Sequence, residues 1–438
     1  MTEKINNLFQ RLSRGAWTIG DQALYVLSTI ALNLFLARTL TQEDYGMFAV
    51  IYSGLMFLGA VYMALLVEPM QVFADGRFRE SRSDYMKWLW RKHWIFTGCV
   101  CVLLLLISAL LFVFDKLYLC KSFALLGLIA PFALLSWLSR RAACVYSKPQ
   151  QAAISSAFYL MFIVAGLFCL NLAGRFSVYS TLVLLGVANG ITASVLFVVL
   201  QRNIVQQNEK LKDNDALKNH WRYGRWAVLT SLLMWLPLNF FVVYFSHNDL
   251  AASGSWRAIT NLYLPAFQAN AALSALILPA LVRRLENTND FLRTVWESVG
   301  GVVFIAFTYS IFLFLFGNQL VHLLYGGRYD AQSLLLKLLI LMPVLDACCV
   351  VLSAAMRARE KPQAVLFANM TGVFVLITIG IFLPKSYGLR GAAIATLASS
   401  AITACCLFFA VKQQTAQPKT NVGSYTPLSS HLLRKCNE

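Results

Sequence analysis

Four charged residues stand inside long apolar runs: Asp21, Arg257, Lys337 and Asp346. A charge near the middle of a bilayer costs at least about 2.5–3.5 kcal/mol on insertion scales, so each needs a partner or a wet cavity. Two cations at similar depth in the second half of the chain suit an anionic group in transit. The carboxylates suit coupling or gating. On an unbroken helix Asn261 and Gln268, at i+4 and i+11 from Arg257, fall within about 40° of it and extend the charge into a polar stripe. Near the N-terminus Thr18, Gln22, Tyr25, Thr29 and Asn33 fall within about 80° of one another, with Asp21 at the edge. Two helices thus present polar faces to a cavity. Arg257, Lys337, Asn261, Gln268, Gln22 and Asn33 are the candidate substrate-binding residues, and Asp21 and Asp346 the candidate coupling or gating residues.

Plainer roles stand beside these. Arg257 lies about seven residues into its helix, roughly 10 Å below the outer surface; there it lines a cavity, snorkels to the interface or joins a buried ion pair. Lys337 sits at similar depth, and its flexible stem also reaches the headgroups. Asp21 has three readings: a coupling-ion site, a partner for a basic residue, or a cytoplasmic gate. Asn33, Asn261 and Gln268 can simply bond a neighbouring helix, at about 0.6 kcal/mol each. Arg38, Lys121 and Lys385 lie at expected outer ends and read as interfacial anchors.

The elements that must position these residues are bilayer-crossing helices. Of 438 residues 58% are hydrophobic and 13% charged, against about 25% charged in soluble chains. The apolar residues come in runs of about 20, which excludes a soluble enzyme, a nucleic-acid-binding domain and a secreted disulfide scaffold. Twelve spans are expected near residues 15 to 37, 44 to 66, 93 to 115, 118 to 139, 151 to 172, 176 to 200, 223 to 246, 250 to 281, 296 to 318, 331 to 355, 362 to 384 and 388 to 411. Most of the 37 Lys and Arg then fall in the N-terminus, the alternate loops and the tail, which places both termini in the cytoplasm. The net charge of +17 reflects that topology and not a nucleic-acid partner. Residues 1–14 form a cytoplasmic N-terminus, 201–222 a polar cytoplasmic linker, and 413–438 a polar tail without a packed fold.

Eight of the ten cysteines lie inside expected spans and read as small packing residues, and the five histidines show no metal-ligand spacing. No metal or other cofactor is called for. No Gly-Lys dipeptide is present, so there is no phosphate-binding loop of an ATPase. Outer loops of about 2 to 12 residues argue against a membrane-embedded enzyme. Pro237, Pro265, Pro279 and Pro343 interrupt helices of the second half, each removing a backbone donor and favouring a bend; the first half has only Pro131 within a span.

The chain also repeats itself. Gly15-Ala-Trp17, Gly46, Lys148-Pro149-Gln150 and Ile191-Thr192-Ala193 are answered in order by Gly224-Arg-Trp226, Gly254, Lys361-Pro362-Gln363 and Ile402-Thr403-Ala404, at offsets of 208 to 213 residues. Six spans per copy is an even number, so the copies share one orientation. The expected fold is an all-α polytopic membrane protein of two parallel six-helix lobes, 15–200 and 223–412, around a central cleft.

The opening Gly15-Ala-Trp17, Asn33-Leu-Phe-Leu-Ala-Arg38-Thr-Leu and Asp44-Tyr45-Gly46, followed by Leu66-Val-Glu68-Pro69-Met70, resembles the polysaccharide and O-antigen exporters of the multidrug/oligosaccharidyl-lipid/polysaccharide flippase superfamily. The resemblance implies alternating-access movement of an undecaprenyl-pyrophosphate-linked oligosaccharide to the outer leaflet of a bacterial inner membrane. It also implies a cleft lined chiefly by spans 1, 2, 7 and 8. Membrane lipids, a glycan polymerase and the enzymes of glycan assembly are the implied partners. A cation-coupled drug extruder of the same fold is the rival reading, and it predicts a carboxylate cluster in one lobe.

Overall fold

Short polar signals start and stop the helices of the computed structural model, which describes residues 2–74, 76–115, 117–202, 213–285 and 287–416. Helix α1 (Thr2–Thr39) ends just before Thr41, whose hydroxyl accepts from the Asp44 amide at 3.1 Å and caps α2 (Gln42–Tyr62). The same pass runs through a π-helical turn, Met63–Val67, into α3 (Glu68–Phe73). Next come α4 (Arg82–Val113), α5 (Leu117–Val145), α6 (Pro149–Leu172) and α7 (Val178–Gln201). Pro149 opens α6, where its missing N–H costs nothing. Ser177 and Ser180 open α7 with a reciprocal capping box.

In the second half α8 (Asp213–Ser246) is followed by α9 (Leu250–Asn261), capped by Asp249 through the Ala252 amide at 2.8 Å, and then α10 (Leu264–Val282) and α11 (Thr288–Tyr325). A short 3-10 turn leads to α12 (Ser333–Leu338), α13 (Met342–Ala358) and α14 (Pro362–Ala416). The last is two passes. Gly388 has φ +54°, and Ser399 Oγ donates to the Gly372 carbonyl at 2.7 Å. Those residues would be about 40 Å apart on a straight helix. With that hairpin counted, the described residues make twelve passes, eleven helical stretches being long and apolar enough to cross a membrane. All their regular structure is helical. The middle of the expected linker, residues 203–212, and most of the expected tail, from residue 417 on, lie outside the described residues.

Two expected spans are broken helices. Pro265 has no N–H and its ring crowds the carbonyl four residues back, and the chain turns at Leu262–Tyr263 between α9 and α10. Pro343 does the same before α13, where residues 339–341 separate it from α12. Pro237 and Pro279, by contrast, lie within continuous helices.

The described residues divide into two compact units: Met1–Pro265 with Ile311–Ile340 and Leu376–Thr396, and Ala266–Ser310 with Leu341–Val375 and Leu397–Glu438. In the first, α1 packs along α6, α5 lies between α4 and α7, and α2 crosses α9. That last crossing is backbone on backbone. A Cβ on Gly46 would stand 1.8 Å from the Leu250 carbonyl oxygen, and a Cβ on Gly254 would stand 2.3 Å from that of Gln42. Small residues that let backbones touch are how membrane helices associate where water supplies no driving force. The second unit is built likewise, its core joining Leu281, Phe291 and Val295 to Ala354, Ala355, Ala358, Ala368 and Leu407.

Candidate substrate site

Most of the residues singled out from sequence fall into three clusters, and Lys337 and Gln268 lie apart from them. The first joins α1, α2 and α9. Asn33 is fully buried and donates back to the Thr29 carbonyl at 2.8 Å, while its side-chain oxygen accepts from Tyr45 Oη at 3.1 Å. Asn261 Nδ2 donates to Tyr45 Oη at 2.8 Å and to Asn33 Oδ1 at 3.3 Å. One helical turn before Asn261, the Arg257 guanidinium lies 5.6 Å from the centre of the Tyr52 ring, a cation–π contact. Its Nε is buried with no hydrogen-bond partner. Among the described residues Arg257 forms no ion pair, and no carboxylate there neutralises its charge. Near the cluster, Tyr329 stacks edge-on with Tyr45 and Tyr325; burial raises its phenol well above the ordinary value, so it stays neutral. Arg328 donates to the Leu40 carbonyl, and Gln42 donates to the Arg328 carbonyl.

The second cluster holds Asp21. Its carboxylate, 1% exposed, accepts from Arg140 Nε at 2.8 Å, from a second Arg140 nitrogen at 2.9 Å and from Ser156 Oγ at 2.6 Å. Arg140 also lies over the Tyr25 ring at 4.1 Å. Tyr25 in turn stacks on Tyr159 and accepts from Trp137 Nε1. The triad staples α1, α5 and α6. Sequence reasoning missed Arg140 because the apolar run ends at residue 139, which placed Arg140 and Arg141 in an inner loop; the helix continues to Val145. The available signal was Asp21 itself, a carboxylate that needed a cation.

Removing one member of a fully desolvated pair leaves the other charged and buried, at roughly 3–5 kcal/mol. Arg140→Ala and Asp21→Ala should therefore each lower the melting temperature sharply in detergent. The neutral double variant Asp21→Asn with Arg140→Gln should recover most of the loss. Single variants as stable as the native protein would show the pair to be dispensable.

The third cluster lies in the second unit, where Asn270, fully buried, donates to Asp346 Oδ2 at 2.8 Å and to the Pro343 carbonyl at 3.1 Å. Asn270 was not singled out, although it too is an amide in an apolar run. Lys337 is exposed on α12. The preceding carbonyl, of Leu336, accepts from Tyr263 Oη at 2.5 Å. Gln268 is exposed on α10, and the turn at Leu262–Tyr263 interrupts the helical count that aligned it with Arg257. The stripe of sequence therefore stops at Asn261.

The described residues thus form a multi-pass, all-helical chain with a cation outside any ion pair, Arg257, and buried hydrogen-bonded amides within its spans, and solved structures share its fold. The chain matches an inward-facing multidrug resistance MATE family transporter of the MOP superfamily over 91% of its length and 98% of that chain, with a TM-score of 0.72 and 14% identity. It matches the lipid II flippase MurJ, in an inward closed conformation, over 91% and 87%, at TM-score 0.70 and 14% identity. A MOP superfamily transporter from Pyrococcus furiosus follows at 0.64, 92% and 94%, also 14% identical. These likenesses define the fold. Residues 35–334 match the model of the polysaccharide biosynthesis protein family, and the chain belongs to that family. No curated protein matches it in sequence.

Proposed function

We propose that the protein is an alternating-access flippase that carries an undecaprenyl-pyrophosphate-linked oligosaccharide from the cytoplasmic to the outer leaflet for surface polysaccharide synthesis. The observation that carries this reading is the unpaired guanidinium of Arg257, held inside the protein by an aromatic ring and set beside Asn33, Tyr45 and Asn261. A planar fork of donors suits phosphate oxygens. The neighbouring amides and phenol suit sugar hydroxyls. Membership of a polysaccharide biosynthesis family and the fold shared with a lipid II flippase support the same substrate class. No bond of the substrate need be made or broken, so the protein is a transporter and not an enzyme.

The bacterial inner membrane, cytoplasmic termini, and a glycan polymerase or assembly enzymes as neighbours belong to this proposal. So does a coupling or gating role for Asp21 and Asp346, with Lys337 and Gln268 as further contacts for the cargo. The drug-extruder reading predicts a carboxylate cluster in one lobe, whereas among the described residues Asp21 is matched by Arg140 and Asp346 bonds the Asn270 amide. Proteoliposomes loaded with a fluorescent polyprenyl-pyrophosphate oligosaccharide provide the test. The protein should expose the inner-leaflet label to an impermeant quencher over time. Failure to do so, with efflux of a lipophilic cation instead, would overturn the reading.

A further inference from the structure

Helix α5 carries two adjacent arginines at its inner end, and they are used differently. Arg140 is matched by Asp21. Arg141, half-buried, meets the side-chain oxygen of Gln22 at 2.9 and 3.2 Å once that amide is turned to face its donors. Among the described residues it forms no ion pair, so the group Asp21, Arg140 and Arg141 keeps one net positive charge. An arginine at a membrane interface ordinarily directs its head toward water. Arg141 instead meets Gln22, which lies seven residues, about 10 Å along the helix axis, into the candidate span that begins at Gly15.

Gln22 also connects this cation to the other. On α1, Gln22, Thr29 and Asn33 fall within about 40° of one another. Gln22 and Asn33 are eleven residues apart, about 16 Å along the axis. One face of α1 therefore carries the partner of Arg141 at its inner end and the Asn33–Tyr45–Asn261 cluster beside Arg257 further out. A guanidinium has five N–H donors, and a single amide oxygen leaves several of Arg141's for a ligand.

We propose that Arg141, held by Gln22, is an inner pyrophosphate-binding station, which takes the anionic group of the cargo from the cytoplasmic side before Arg257 receives it. The proposal rests on the flippase reading above and adds to it a second site on a different helix. The stretch of α1 that links the two stations rises about 16 Å, so the anionic group has a cation near either end of it.

The test is equilibrium binding of undecaprenyl pyrophosphate to the full chain in nanodiscs, by thermophoresis at low and high salt, with melting temperatures measured in parallel. Losing a charge-assisted bond at this site should weaken binding about tenfold, so Arg141→Gln should do so and reduce the salt dependence. Gln22→Glu gives the discriminating arm, because it leaves Arg141 in place and supplies a carboxylate to it. Binding should weaken by a similar factor, while the melting temperature holds or rises. Native binding by both variants, with Arg257→Gln weakened, overturns the inner station and leaves the flippase reading intact. Weakening confined to Arg141→Gln, accompanied by a lowered melting temperature, also overturns it, because that pattern marks a structural role. No binding by the native chain overturns both.

Discussion

Arg257→Ala should abolish export of the lipid-linked glycan while the protein remains inserted and folded. The side chain forms no ion pair among the described residues, so its loss strands no opposite charge, and the Tyr52 ring loses only a cation–π contact of about 0.5–2 kcal/mol. The cargo, in contrast, loses a pair of charge-assisted bonds worth roughly 1.5–3 kcal/mol each. Together these correspond to at least a hundredfold in rate or affinity. Arg257→Lys keeps the charge without the fork and should retain part of the activity. Both are read as the initial rate of label exposure in proteoliposomes at matched protein content. Arg257→Leu transporting at the native rate would sink the assignment and return the residue to a snorkelling role.

The second large effect belongs to the glycine crossing. Gly46→Val should lower the melting temperature and open the packing between α2 and α9. A Cβ at Gly46 would stand 1.8 Å from the Leu250 carbonyl oxygen, and no rotamer change relieves a clash with backbone. The helices must separate by more than 1 Å, at a cost of about 1–3 kcal/mol for overpacking alone. Separation also strains the bonds from Asn261 to Tyr45 and Asn33, since these join the same helices. Ser255, buried on α9, reports the change. In a chain otherwise free of cysteine, Ser255→Cys should resist a water-soluble thiol reagent and become reactive when Gly46→Val is added. Equal protection in both backgrounds would show that the crossing tolerates a side chain.

The sequence displayed the twelve passes because hydropathy sums over some twenty residues, and a whole span is a strong signal against local noise. The breaks at Pro265 and Pro343 were legible for a local reason, the missing amide, although Pro237 and Pro279 looked the same and are accommodated within helices. Arg140 was not legible in its role. Hydropathy ends a span at the last apolar residue, and a charge neutralised by a residue 119 positions earlier still counts as a charge. Asn33 and Asn261, which the structure joins by a hydrogen bond, were singled out by helical counting, which holds along one unbroken helix. Gln268 shows the limit of that method, because two turn residues reset the phase. Tyr45 and Tyr52 were missed as site residues, since aromatic rings are common in spans and only their contacts distinguish them.

The crossing of α2 with α9 has a further consequence. Gly46 meets Leu250, and Gly254 meets Gln42; both pairings match under one shift of 208 residues. At this crossing each helix therefore offers the same surface to the other, as the subunits of a two-fold dimer do. A dimer of identical chains must duplicate every group near its axis, and a guanidinium would there face its own copy. Here the halves are free to differ. The counterpart of Arg257 is Ala49, that of Asn261 is Ser53, and Tyr45 and Tyr52 answer to Ser253 and Thr260. One half supplies the charge and the other the aromatic wall, so the cluster is asymmetric within a symmetric frame and carries one guanidinium where a symmetric pair would carry two.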